Sequence, residues 1–158
     1  MDTGIRTDRI ETVREIVSGL LERVPSVSLR ASGYVHMFGV AEACVFLAMK
    51  RGEDVELAAA AGYLHDIATY TTGNPSAHAR RGAEIARGIL TDTGLFSEAE
   101  TEKICTAIHF HSDKKHTHGP MEEILKDADV MQHCLFDPGH VAKKEQERFE
   151  NLRKEFGL

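Results

Sequence analysis

Ala58–Ala59–Ala60–Ala61–Gly62–Tyr63–Leu64–His65–Asp66 is the stretch on which the reading of this chain turns. Its side chains are small on every face of a helix, the pattern of a helix buried among others. It nevertheless ends in an imidazole beside a carboxylate. Aspartate is almost never fully buried unless it is paired or binds a metal. Neutral His with ionised Asp suits a cation that takes mixed nitrogen and oxygen ligands. The plainer alternative is that His65 and Asp66 merely close the helix C-terminus, and the dipeptide alone does not decide.

Working outward, the segment before this stretch reads as a helix from near Tyr34 to Gly52, a C′ glycine. His36, Val40, Ala43 and Leu47 recur on it at i, i+4, i+7 and i+11. His36 therefore lies on the inward stripe, where a backbone carbonyl or an ion would satisfy it. A first helix is expected from about Asp8 to Val24, capped by Asp8 with Glu11, its stripe carrying Val13, Val17 and Leu21. Pro25 ends it, and residues 26–33 read as a loop.

After the stretch, residues 69–76 (TYTTGNPS) read as a turn-rich loop. The next helix follows Pro75, with Ser76 as its cap, and runs to Leu90. His78 falls in its first turn beside Arg80 and Arg81, arginines that either are solvated or hold a phosphate. Ser97 to Glu100 forms a capping box for a fifth helix. On that helix Ile104, Ile108 and His111 repeat at i, i+4 and i+7, so His111 ends an apolar stripe as His36 begins one. Residues 112–119 carry Lys114, Lys115, His116 and His118, either a solvated loop or a positive lip over an anion. Pro120 opens a sixth helix, on which Asp127 and Asp129 flank the stripe of Ile124, Ala128, Met131 and Leu135. The last helix is expected from Pro138 to Phe156, with the polar run KKEQER (143–148) as its solvated face. No segment alternates as a strand does. The expected fold is an all-α, single-domain helical bundle of about six to seven helices spanning residues 1–158.

Composition sets outer bounds. The chain has 158 residues, 42% apolar and 28% charged, enough for a sizeable core. A formal net charge of −6 argues against a dedicated nucleic-acid binder but leaves room for a small anionic substrate. Cys44, Cys105 and Cys134 have no close spacing and read as reduced packing residues of a cytoplasmic protein. The polar first nine residues are no secretory signal, and no apolar run reads as long enough to span a bilayer.

The inward polar residues are His36, His65, Asp66, His78, His111 and one aspartate near position 129. Six such groups are costly to bury without a cation to bind them. Their order, H…HD…H…H…D, in "HMFGVAEAC", "AAGYLHDIA", "HARRGAEIARGIL", "ICTAIHFHS" and "LKDADVMQH", closely resembles the HD-domain superfamily of metal-dependent phosphohydrolases, over residues 34–135.

The resemblance implies that His36, His65, Asp66 and Asp129 bind a first metal. Asp129 is preferred to Asp127 because the family's last aspartate follows an alanine, although Val130 and Met131 stand where the family usually has a basic residue and a leucine. In two-metal members, histidines placed like His78 and His111 bind a second ion, bridged by Asp66. In one-metal members they contact the phosphate. The resemblance also implies a divalent ion or pair of ions (Mn, Fe, Ni, Co or Zn, or Mg). Asp66, His78 and His111 would be catalytic, and Lys114, Lys115, Arg80 and Arg81 would hold a small phosphorylated substrate such as a nucleotide. Two alternatives stand beside it: a di-iron oxygenase of the same ligand order acting on a small organic substrate such as a phosphonate, and a metal-binding module without turnover. A helical domain of this size often forms a homodimer through an amphipathic face.

Overall fold

The computed structural model describes residues 7–158, with side chains from Arg9 onward, so the cap expected of the Asp8 side chain lies outside what is described. The helices, in order, are α1 (Thr7–Glu22), α2 (Val27–Gly33), α3 (Gly39–Arg51), α4 (Val55–Leu64), α5 (Ile67–Thr72), α6 (His78–Thr93), α7 (Glu98–Phe110), α8 (Pro120–Phe136) and α9 (Gln146–Phe156). Seven of them have ten residues or more, and no strand occurs among the described residues.

The alanine run does what its composition dictates. Every residue of α4 from Leu57 to Leu64 is buried, with α1, α3, α7 and α8 packed around it. Asp54 caps α4, its Oδ1 accepting from the Glu56 and Leu57 amides at 2.9 and 3.0 Å. The capping box at Ser97 and Glu100 is present on α7, and Pro120 occupies the first turn of α8. Gly52 closes α3 in the left-handed conformation, at φ 72°.

Four segments differ from the sequence reading. Residues 27–33, read as a loop, form α2, capped by the Ser26 hydroxyl. It continues through a π-helical turn, Tyr34–Phe38, into α3. The resulting 25-residue helix, Val27–Arg51, is long and apolar enough by length and composition alone to cross a bilayer, which the shorter expected helix was not. A core helix passes the same test, and here Met37, Val40, Cys44 and Leu47 are fully buried. Residues 69–72, read as the start of a loop, belong with Ile67 and Ala68 to α5, and α6 starts at His78 rather than after Pro75. The last helix begins only at Gln146, after a 3-10 turn over Lys143–Glu145.

The fourth difference concerns the loop between α7 and α8 and the run read as a solvated face. Glu145 is buried. Arg148 donates to the Lys114 carbonyl (3.0 Å), Glu123 (2.7 Å) and Asp127 (2.9 Å). The fully buried Lys126 donates to the His116 carbonyl and to Glu123, both at 2.8 Å, and lies 2.6 Å from His118 Nδ1. The loop is thus tied down by the buried Lys126 and the half-buried Arg148. Burial alone would raise the Glu123 carboxyl, but Arg148 and Lys126 outweigh it and hold its pKa at about 2, against 4.5 for a free glutamate. That contribution to stability is full above pH 4.5 and is lost as the pH falls toward 2. Arg148→Ala is expected to cost about 2 kcal/mol at pH 7 and to move acid unfolding to higher pH, as read by urea titrations at pH 7 and 4. An unchanged acid midpoint would show that the clamp contributes nothing.

Candidate metal centre

Five of the six polar groups of the cluster sit where a helix starts, stops or changes pitch. His65 is the residue that closes α4, and Asp66 precedes α5 with φ −107° and ψ 16°, a sparsely populated region common at active sites. His36 lies in the π-helical turn, a feature that recurs at functional sites. His78 opens α6 directly after Ala77, whose φ of 51° is left-handed. His111 closes α7, and Asp129 lies within α8.

These groups converge. His36 Nε2 is 3.0 Å from His65 Nε2, 3.2 Å from Asp66 Oδ2 and 3.4 Å from Asp129 Oδ1. His111 and His78 Nε2 lie 3.3 and 3.7 Å from the other oxygen of Asp66, Oδ1. Three sets result, His36–His65–Asp66, Asp66–His78–His111 and His36–Asp129–His133, with Asp66 common to the first two.

The far side of each ring fixes its tautomer. Nδ1 of His65, His78 and His111 lies 2.8, 3.0 and 2.7 Å from the carbonyls of Gly62, Pro75 and Ile108. Carbonyls only accept, so Nδ1 carries the proton and each neutral ring turns a lone pair inward. His36 Nδ1 meets the Gln132 side-chain oxygen at 2.7 Å. The inward nitrogens of His36 and His65 thus face each other, and only a proton or a metal ion relieves that repulsion. Asp66 Oδ1 and Asp129 Oδ1 are buried with no hydrogen-bond donor. Lone pairs and orphaned carboxylate oxygens at these spacings fit a divalent ion, and the outer hydrogen bonds are those that orient metal-binding imidazoles.

Electrostatics agree. Burial pushes the His65 pKa down to about 4, so the ring is neutral at pH 7. Burial disfavours the ionised form of Asp66, but positive charge on His65, His111 and His36 would outweigh it and hold the carboxyl far below its ordinary range, the part a bound cation takes while those rings stay neutral. Asp129 is likewise held down, against burial, by Lys114 and then by the three histidines. For His36, burial is outweighed by Asp66 and Asp129, and its pKa is raised.

The structure brings together His36, His65, Asp66, His78, His111 and Asp129. Asp127 lies elsewhere, paired with Arg51 at 2.8 Å and Arg148 at 2.9 Å. Of the four expected phosphate-binding cations, Lys114 reaches the cluster, but as a partner of Asp129. Lys114 is no lip: its buried ammonium binds Asp129 Oδ2 at 2.6 Å and the His111 carbonyl at 2.7 Å. It therefore orients a ligand and leaves only Oδ1 of Asp129 free. Lys115 is exposed on a groove shared with Lys144 and Glu147. Arg80 lines a groove between α6 and α7 with Arg87 and Glu102. Arg81 is half-buried one turn beyond His78 and forms no ion pair among the described residues. The cysteines are buried and free, with thiol pKa values pushed up by burial, to about 11 for Cys105 and Cys134, which suits packing rather than reaction.

His133 was missed. Its ring stacks on His36 at 5.0 Å, its Nε2 is 3.5 Å from Asp129 Oδ1, and its Nδ1 is 2.9 Å from the buried Glu145 carboxylate. The signal was the i, i+4 spacing from Asp129, which puts both on one helix face.

A model of the HD domain matches residues 33–134, about two thirds of the chain. The fold is also similar to the crystal structure of a predicted HD superfamily hydrolase from an uncultured Thermotogales bacterium. The TM-score is 0.60 at 21% identity, with 96% of this chain and 89% of that chain covered. Among curated proteins, no sequence matches this chain. With an HD-domain match over most of its length, and with the histidines and aspartates of that stretch gathered at one point, this chain belongs to the HD-domain family.

Proposed function

We propose that this chain is a metal-dependent phosphohydrolase acting on a small phosphate ester, with nucleotides among the candidate substrates. The observation that carries the reading is the double set of inward imidazole nitrogens around Asp66, which with His36 lines the floor of an open cleft. His36, His65, Asp66 and Asp129 would hold one divalent ion, and Asp66, His78 and His111 a second. When bound, such an ion lowers the pKa of its water toward ~7 and polarises a phosphoryl oxygen.

The chain's own residues do the positioning. The carbonyls of Gly62, Pro75 and Ile108 keep three rings in the metal-binding tautomer. Lys114 holds Asp129 in a single orientation. Because His78 and His111 aim their free nitrogens at Asp66, they serve better as ligands than as proton donors to the leaving group. His133 lines the cleft and is better placed to meet substrate.

The test is a screen of the purified protein against aryl phosphates and nucleotides with Mn, Fe, Co, Ni, Zn and Mg, reading inorganic phosphate. The expected result is phosphate release that a chelator abolishes and added metal restores. Folded, metal-loaded protein that releases phosphate from none of them overturns the proposal. Oxygen uptake by an iron-loaded sample would favour the oxygenase, which the same two sets sharing Asp66 would also serve.

A further inference from the structure

The cleft above the cluster has a volume of about 440 Å³, within the range of small-molecule sites. Its floor is His36, Asp66 and His133. Its walls are of another kind. Ala31, Val35, Tyr70 and Phe136 give it an apolar lining, and Ser32 and Gln132 add neutral polar groups. Val35 and Phe136 are 48% and 71% exposed, apolar surface that no other side chain covers. Among the described residues, no Lys or Arg lines this cleft. Lys114, the cation held against the cluster, is committed to Asp129 and the His111 carbonyl.

This distribution of charge discriminates among phosphate esters. A monoester brings one phosphate, and the cluster receives it. A di- or triphosphate brings further negative charge that must lie along the walls. There it would lose water and meet hydroxyls, an amide and hydrocarbon, with no cation to offset the loss. An apolar or aromatic body gains by covering Val35, Tyr70 and Phe136.

Building on the phosphoester reading above, we propose that the cleft selects a phosphate monoester with an apolar or aromatic body, and rejects di- and triphosphates.

Two measurements test it on the manganese-loaded protein. In calorimetric titration, phenylphosphonate is expected to bind at least about tenfold tighter than methylphosphonate, the value of burying one ring face. Phe136→Ala is expected to remove most of that difference. In turnover with excess free magnesium, phenyl phosphate and a nucleoside 5′-monophosphate are expected to exceed the matching triphosphate by about 100-fold or more in kcat/KM. Equal binding of the two phosphonates, binding of neither, or equal turnover of mono- and triphosphate overturns the proposal. If no ester is hydrolysed but phenylphosphonate is still preferred in the Phe136-dependent manner, the hydrolase reading falls and the cleft's selectivity stands.

Discussion

Asp66→Ala is expected to strip metal from both halves of the cluster and to lower kcat/KM on a phosphate ester by roughly 10⁴-fold, about 5.5 kcal/mol of barrier. The reason is geometric. Oδ2 of Asp66 faces His36 at 3.2 Å and Oδ1 faces His111 at 3.3 Å, so one residue serves both sets. His78→Ala touches only the Oδ1 side and is expected to remove the ion there while sparing the other. Elemental analysis of protein purified without chelator reads the difference as metal per chain. A folded Asp66→Ala protein with its full metal complement and near-normal turnover would refute the shared-carboxylate arrangement.

Gly62→Ala is expected to destabilise the fold by about 3 kcal/mol, lowering Tm by about 10 °C for a chain of this size. A Cβ at this position would lie 2.5 Å from Ala41 Cα and 2.8 Å from its nitrogen. Both are backbone atoms of α3, which cannot give way as a flexible side chain would. The two helices would have to part, and with them His36 and His65, which α3's leading turn and α4's end hold 3.0 Å apart. Loss of metal affinity should therefore accompany loss of stability. Gly88→Ala is the control. Gly88 sits in α6 with nothing within 4 Å of its Cβ position, so the change should stabilise by about 0.5–1 kcal/mol. Thermal unfolding of the two variants with opposite signs would support the close approach, and equal Tm values would contradict it.

What could be read ahead of the structure followed from local rules. The alanine run specified a buried helix because small residues on all faces leave no solvent side. Ser97, Glu100, Pro120 and Gly52 marked helix ends because capping chemistry is local. The order of His36, His65, Asp66, His78 and His111 was visible because each stood on an apolar stripe or at a helix end, whereas Asp129 was preferred to Asp127 on the family resemblance alone. What was missed depends on distant partners. Lys114 looks like any loop lysine until Asp129, fifteen residues on, comes within 2.6 Å. Glu145 and Arg148 sit in a run of charges whose pattern suits solvent, yet His133 and Glu123 draw them inward. The helix at 27–33 escaped notice because Ser26 caps a short segment whose hydrophobic residues, Val27 and Leu29, remain exposed.

The anchoring of the rings has one more consequence. His65, His78 and His111 each bind a carbonyl three positions earlier in their own chain segment. Their aim is therefore fixed as soon as each segment forms, without help from the rest of the bundle. His36 differs, relying on Gln132 across the cleft. The set of Asp66, His78 and His111 thus presents two imidazoles aimed by their own segments, whereas the other pairs His65, so aimed, with His36 on a longer tether. Gln132→Ala should then weaken metal binding on the His36 side and spare the His78 side.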